Sequence, residues 1–318
     1  MSGIVFDNSV NLAGLRIGHA VSAQAPTGCT VFLCPPGTTG SADVRGPAPG
    51  GRETALLQPE KPVSSIHAVT FAGGSAFGLA AADGVMRYLA EQEIGHPTPI
   101  KPIPIVPAAI IYDLFMTSGQ VFPDAAMGYA AAGAATADNR AQGNVGAAVG
   151  ATVGKWGGFR AIMKGGFGLA SITYAGATVF AAAVVNAIGD VINEDGTVLA
   201  GARRQEGGWL VADDPYRQLP VRGPVQGSNT TLVVVATTAA FDKTVCHRLA
   251  QRAHDGLALS IQPIHTSHDG DTIFALSTGK VQADYDLVGT MAVAAVAEAV
   301  RNGVRQAESL AGVPGLLS

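Results

Sequence analysis

The chain has 318 residues, 47% of them hydrophobic and 14% charged, with 41 glycines and a formal net charge of −4. Low charge with high apolar content predicts one thick, layered globule rather than two small domains. The mildly acidic balance excludes the basic footprint of a nucleic-acid binder and a polybasic membrane patch, so small molecules or further copies of the chain are the expected partners.

In chain order, the opening "MSGIVFDNSVNLAGLRIGHA" has neither the positive start nor the long apolar run of a secretory signal, which predicts a cytoplasmic protein. Short apolar runs between glycine turns then predict strands: "TGCTVFLCPPG", "SSIHAVTFAGGSAFG", "KPIPIVPAAIIYDL", "ATVFAAAVVNAIGDV", "NTTLVVVATT" and "TIFALSTGKV". Helices are predicted over "SAFGLAAADGVMRYLAEQ", "FDKTVCHRLAQRAHDGLA" and "DYDLVGTMAVAAVAEAVRNGVRQAESL", the last with Leu287, Met291, Ala294, Ala295 and Val300 near helical period. Strands apolar on both faces, with helices to cover them, predict an α+β layered sandwich. Cys29, Cys34 and Cys246 form no CxxC pair and are expected to be packing residues. The run "TYAGATVFAAAVVNAIGDV" is interrupted by Asn186 and Asp190 and does not meet the requirement for a membrane span.

Several polar residues stand out against this apolar background. Tyr112 is either a packed aromatic with a satisfied hydroxyl or a hydroxyl aimed into a site. "GATVGKW" resembles a phosphate loop but spaces its glycines wrongly and has Trp156 where Ser or Thr would hold magnesium, leaving Lys155 as a surface lysine or a buried cation or base. Asn186, deep in an apolar strand, must hydrogen-bond something, as a strand-end cap or as an oxyanion donor. "LVADDPYRQLPVRGPVQGSN" reads as an exposed loop in which a break is tolerated, just ahead of Asn229 and Thr230. In "PIHTSHDGDTIFAL", His265, His268, Asp269 and Asp271 read as a metal site, an ordinary strand-entry turn, or a carboxylate pair that shares protons with a hydroxyl or amine.

Taken together, "IPIVPAAIIYDL", "GNVGAAVGATVGKW", "KGGFGLAS", "VVNAIGDV", "NTTLVVVAT" and "HDGDTIFALSTGK", after "TGCTVFLC" and "FAGGSAFGLAAADGV", resemble the self-cleaving aminopeptidase family. That family includes L-aminopeptidase/D-Ala-esterase/amidases, β-aminopeptidases and 6-aminohexanoate-oligomer (nylon-oligomer) hydrolases. The resemblance implies a four-layer αββα sandwich with an N-terminal-nucleophile active site. It also implies a single catalytic domain, residues 1–318, that cuts itself into 1–229 and 230–318. Thr230, after Asn229, matches the nucleophile whose freed α-amine serves as its own base; Thr231 is the alternative terminus. The resemblance further implies roles for Asn186 as oxyanion donor, for Asp269 and Asp271 as orienting carboxylates, and for Lys155 and Tyr112 as their neighbours, with Lys164 a weaker alternative to Lys155. No metal or organic cofactor is implied, and a homo-oligomer of processed units is.

The Thr/Asp/Asp pattern is similar to the nylon-oligomer branch, which implies hydrolysis of linear 6-aminohexanoate oligomers or related short amides. An aminopeptidase or β-aminopeptidase acting on short peptides is the alternative. A metal-dependent hydrolase using His265 and His268, and a non-catalytic small-molecule binder, rank lower.

Overall fold

The computed structural model describes residues 11–212 and 229–317. The polar loop expected ahead of Asn229 therefore lies, for residues 213–228, outside the described residues.

The first half of the chain contributes strands Arg16–Val21 (β1), Gly28–Leu33 (β2), Thr39–Arg45 (β3), Gly51–Arg52 (β4), Ala68–Ala72 (β5) and Ala108–Ile110 (β6), with helices Ala81–Ala90 (α1) and Ala125–Gly133 (α2). Next come Thr152–Val153 (β7), Met163–Lys164 (β8), Gly166–Tyr174 (β9), Ala177–Asn186 (β10), Asp190–Ile192 (β11) and Val198–Ala200 (β12). The last part holds Thr230–Ala239 (β13), Lys243–Ala258 (α3), Ile261–Gln262 (β14), Asp271–Val281 (β15) and Tyr285–Arg305 (α4).

These elements form a mixed α/β structure on two five-stranded sheets, ordered β1-β2-β5-β6-β4 and β3-β15-β13-β10-β9. The alternation of β13 shows how they pack. Leu232, Val234 and Ala236 join an apolar cluster with Phe274 and Phe180 of their own sheet and Phe32 and Phe71 of the other. Val233 and Val235 face the opposite way, onto Leu249 and Leu257 of α3 and Val296 and Val300 of α4. A third cluster sets Val31, Leu33 and Ala68 of the first sheet against Val85 and Leu89 of α1 and Ala131 of α2. Each Val or Leu buried in this way stabilises by about 1.5–3 kcal/mol, which is why the central strands carry continuous apolar runs.

Asp124, Asp242 and Asp284 cap α2, α3 and α4 by accepting the N–H of Met127, Val245 and Leu287. Helix α4 is long and apolar enough to cross a membrane by composition, yet it packs against β9, β10 and α3. The expected helix over 75–92 begins instead with a 3₁₀ turn, Ser75–Ala80, after Gly74 at φ 79°, and becomes α-helical only at Ala81. Helix α2 was not expected from the sequence. Its residues, AAMGYAAAG, are mostly small and carry no amphipathic period.

One topological feature builds the site. In the second sheet β13 and β15 run parallel, joined by the crossover through α3, while β10 runs antiparallel to β13. The starts of β13 and β15 and the end of β10 therefore meet at one edge, with Asn186 directly opposite Thr230.

Candidate active site

Thr230 opens β13 and is buried, its Oγ1 donating a 2.5 Å hydrogen bond to the carbonyl oxygen of Asn229. The same oxygen accepts the backbone N–H of Gly270 at 3.2 Å, because Asn229 and Asp269 extend the parallel pairing by one bridge. The hydroxyl thus lies beside the carbonyl of the preceding peptide bond, and a fixed N–H is aimed where charge would develop during attack.

The two carboxylates of the Asp-Gly-Asp turn are both buried and do different things. Asp271 accepts the Thr231 N–H on Oδ1 at 2.6 Å, and its Oδ2 lies 2.7 Å from His265 Nδ1. Asp269 accepts both the N–H and the hydroxyl of Thr266 on Oδ2, each at 2.7 Å. Burial, followed by the nearby Asp271 charge, pushes the Asp269 carboxyl up to about 6. Asp269 Oδ1, Asn229 Oδ1 and Thr231 Oγ1 are buried and have no hydrogen-bond partner among the described residues. Such a cluster of open acceptors beside a peptide bond is suited to water or to a substrate amine.

Lys155 reaches the site from the other side. Its Nζ donates to the carbonyl oxygens of Thr152 and Asn186 and to Asn186 Oδ1, each at 2.9 Å, and to Ala187 O at 3.3 Å. Asn186 Oδ1 also accepts the Thr152 N–H at 3.1 Å. Burial lowers Lys155 to about 7, although Asp269 and Asp271 favour its charged form. Near neutrality this lysine therefore populates both its charged and its neutral form.

Over residues 8–317 the sequence matches the profile of peptidase family S58. The chain belongs to peptidase family S58. It is an amide-bond hydrolase, in the family to which its sequence motifs pointed. It is 40% identical to an uncharacterized aminopeptidase of Mycobacterium leprae, across 96% of this chain and 92% of that protein. With the 6-aminohexanoate-oligomer endohydrolase of Paenarthrobacter ureafaciens it shares 32% identity over 84% of this chain and 74% of that one. Two solved structures share the fold. The L-aminopeptidase D-Ala-esterase/amidase of Ochrobactrum anthropi, described as a variant of the Ntn hydrolase fold, superposes with a TM-score of 0.72 at 18% identity, covering 99% of this chain and 90% of that one. The β-aminopeptidase of Burkholderia sp. gives 0.71 at 21%, covering 95% and 88%.

Within this S58 chain, Thr230, Asn229, Asp269, Asp271, Lys155 and Asn186 meet at one sheet edge, whereas Tyr112 makes no hydrogen bond to any of them among the described residues. Tyr112 follows β6 and is half-buried. The side chain after it, Asp113, is fully buried and accepts the Gly74 N–H at 2.6 Å; burial raises it to about 6. Lys164, which pairs with Thr152 across β7 and β8, donates to Val149 O at 2.6 Å and Ala151 O at 2.8 Å. It is therefore an anchor of the segment that carries Thr152, and Lys155 is the lysine that touches Asn186.

His265 and His268 do not converge with the aspartates as metal ligands. Among the described residues no three His, Cys, Asp or Glu side chains are grouped to hold a metal. The three cysteines are free, their thiols pushed up to about 12 chiefly by burial, in keeping with packing roles. Sequence reasoning missed Gly270 N–H and Thr266, and read His265 as a metal ligand or part of an ordinary turn but not as a partner of Asp271. A backbone donor leaves no side-chain signature, and the spacing of His265 from Asp271 has no period that would mark them as a pair.

Proposed function

We propose that the chain is an autoprocessing N-terminal-nucleophile hydrolase on a four-layer αββα sandwich, in which Thr230 first attacks the carbonyl of Asn229. The observation that carries this reading is the Thr230 hydroxyl set against that carbonyl, with Gly270 N–H on the same oxygen. Attack converts the peptide into an ester and leaves the Thr230 nitrogen as an amine. Water then opens the ester, giving chains 1–229 and 230–318 and a Thr230 whose α-amine acts as the base for its own hydroxyl. The freed amine has an unperturbed pKa of about 7.7–8.0, suited to that task at neutral pH. Asp269 and Asp271 orient it, Lys155 supplies positive charge, and Asn186 stabilises the oxyanion of the second, substrate-directed acylation. Thr231 is less suited as the new terminus, since its N–H is held by Asp271 and its hydroxyl is not on the carbonyl before it. In this reading the processed units assemble as a homo-oligomer in the cytoplasm, and Tyr112 reaches substrate rather than the nucleophile.

Small linear amides are the substrate class. The Thr230, Asp269 and Asp271 pattern favours linear 6-aminohexanoate oligomers; the name carried by the 40%-identical relatives favours short peptides with a free amino terminus. The deciding experiment is a denaturing mass spectrum of wild type beside Thr230→Ala, followed by a side-by-side assay of both substrates. Wild type is expected as two fragments and Thr230→Ala as one chain. A wild type that stays whole after folding refutes the mechanism, and peptide cleavage with no oligomer turnover removes the nylon-oligomer assignment.

A further inference from the structure

His265 has a backbone φ of 55°, in the left-handed region that a residue with a β-carbon occupies only when its surroundings over-determine it. That conformation places Nδ1 against Asp271 Oδ2 at 2.7 Å, while the other oxygen of the same carboxylate holds the N–H of Thr231 at 2.6 Å. A carboxylate with an N–H already on one oxygen takes a second donor on the other, so the pairing tautomer carries its proton on Nδ1. The ring is set from behind by His254 of α3, edge to face at 4.8 Å, and His254 Nε2 in turn faces the Asp43 carbonyl at 3.3 Å. Burial holds His254 neutral, with its pKa lowered to about 3, so it acts as a fixed wall and not as a competing cation. A series of contacts thus runs from β3 through α3 and His265 to the first residues of β13.

We propose that His265 is a positioning residue that locks the Asp271 carboxylate by donating from Nδ1, and through Asp271 fixes the Thr231 amide and hence the aim of the Thr230 hydroxyl. Nothing in the arrangement requires the ring to carry a proton to substrate; what it supplies is a donor at one point. The proposal rests on Thr230 as nucleophile.

Asparagine and aspartate provide the test, because both tolerate the left-handed backbone and both place an atom where His Nδ1 sits, but only the asparagine atom can be an N–H donor. Wild type, His265→Asn, His265→Asp, His265→Ala and Thr230→Ala are made by cell-free synthesis. Fragment appearance is then followed on denaturing gels and normalised to the folded fraction from thermal melts. The cut proteins are assayed on 6-aminohexanoate trimer and on L-alanine 4-nitroanilide. His265→Asp and His265→Ala are expected to self-cleave roughly 100-fold more slowly, with kcat reduced and KM within about twofold, and His265→Asn to recover to within about tenfold of wild type. Fast cleavage by folded His265→Asp, or His265→Asn as slow as His265→Asp, overturns the proposal and leaves the Thr230 mechanism standing. A wild type that never cuts overturns both.

Discussion

Two residues at the site are held near their titration points by burial, and they set its pH response. Asp269 is pushed up to about 6 and Lys155 down to about 7, so between these values both the carboxylate and the amine are mostly in their charged forms. The proposed role of Asp269, as counter-charge to the Thr230 amine, needs the ionised form. Its folded value lies above the ordinary one, so the ionised fraction falls as pH drops through about 6. The turnover rate of the cut enzyme is therefore expected to rise about tenfold per pH unit until the Thr230 amine loses its proton at about pH 7.7–8.0, with an additional, steeper limb below about pH 6 where Asp269 is protonated as well. Asp269→Asn should be slow at every pH and lose that limb. An unchanged steeper limb in Asp269→Asn would assign it to another group. Asn186 stands out in the sequence because an amide at the end of an otherwise wholly apolar strand must be satisfied or used, whereas Thr230 is singled out by the family resemblance and not by its own stretch.

Strand β15 begins where the chain has no room for a side chain. A β-carbon on Gly270 would lie 2.3 Å from the Ala48 carbonyl oxygen and 2.7 Å from Pro49 Cα, while Ala48 N–H holds the Asp269 carbonyl at 3.0 Å. The segment after β3 thus presses the Asp-Gly-Asp turn into position and aims the Gly270 N–H at Asn229. Gly270→Ala is expected to cost about 1–3 kcal/mol in a urea titration, through overpacking. It should also slow self-cleavage on the order of 10²-fold by moving the donor. Destabilisation with cleavage at the wild-type rate would show that this N–H takes no part in the attack. The same element shows the reach of the sequence. The continuous apolar runs in "TIFALSTGKV" and "NTTLVVVATT" predict both strands, but not that they run parallel. That follows from the crossover through α3, and it is what brings Asp271 beside Thr231. Short β6 is the converse case. "KPIPIVPAAIIYDL" is apolar enough for a long strand, yet Pro102, Pro104 and Pro107 remove donors and leave only Ala108–Ile110 in the sheet.

At the scale of the whole molecule, the proposed cut divides a single core. The piece after it brings β13, β15, α3 and α4; the piece before it brings β3, β9 and β10, which flank β13 and β15 in the same sheet. The cluster beneath the helices joins Val233, Val235 and Val300 to Ala181, Val185 and Ile172, and the cluster between the sheets joins Leu232 and Phe274 to Phe32, Phe71 and Phe180. Neither piece can bury its share of these faces without the other. Cut protein is therefore expected to elute as one species on native size exclusion and to separate only in denaturant. Unfolding should also change character on cutting. Uncut Thr230→Ala carries both halves on one chain, so its refolding after dilution from urea needs only loop closure, and its yield should not depend on concentration. Cut wild type must re-form the sheet between two chains, so its refolding yield should fall with dilution. Comparing the two proteins over a range of concentrations tests this directly. Equal, concentration-independent yields from both would mean that one fragment folds alone, contrary to a core shared across the Asn229–Thr230 bond.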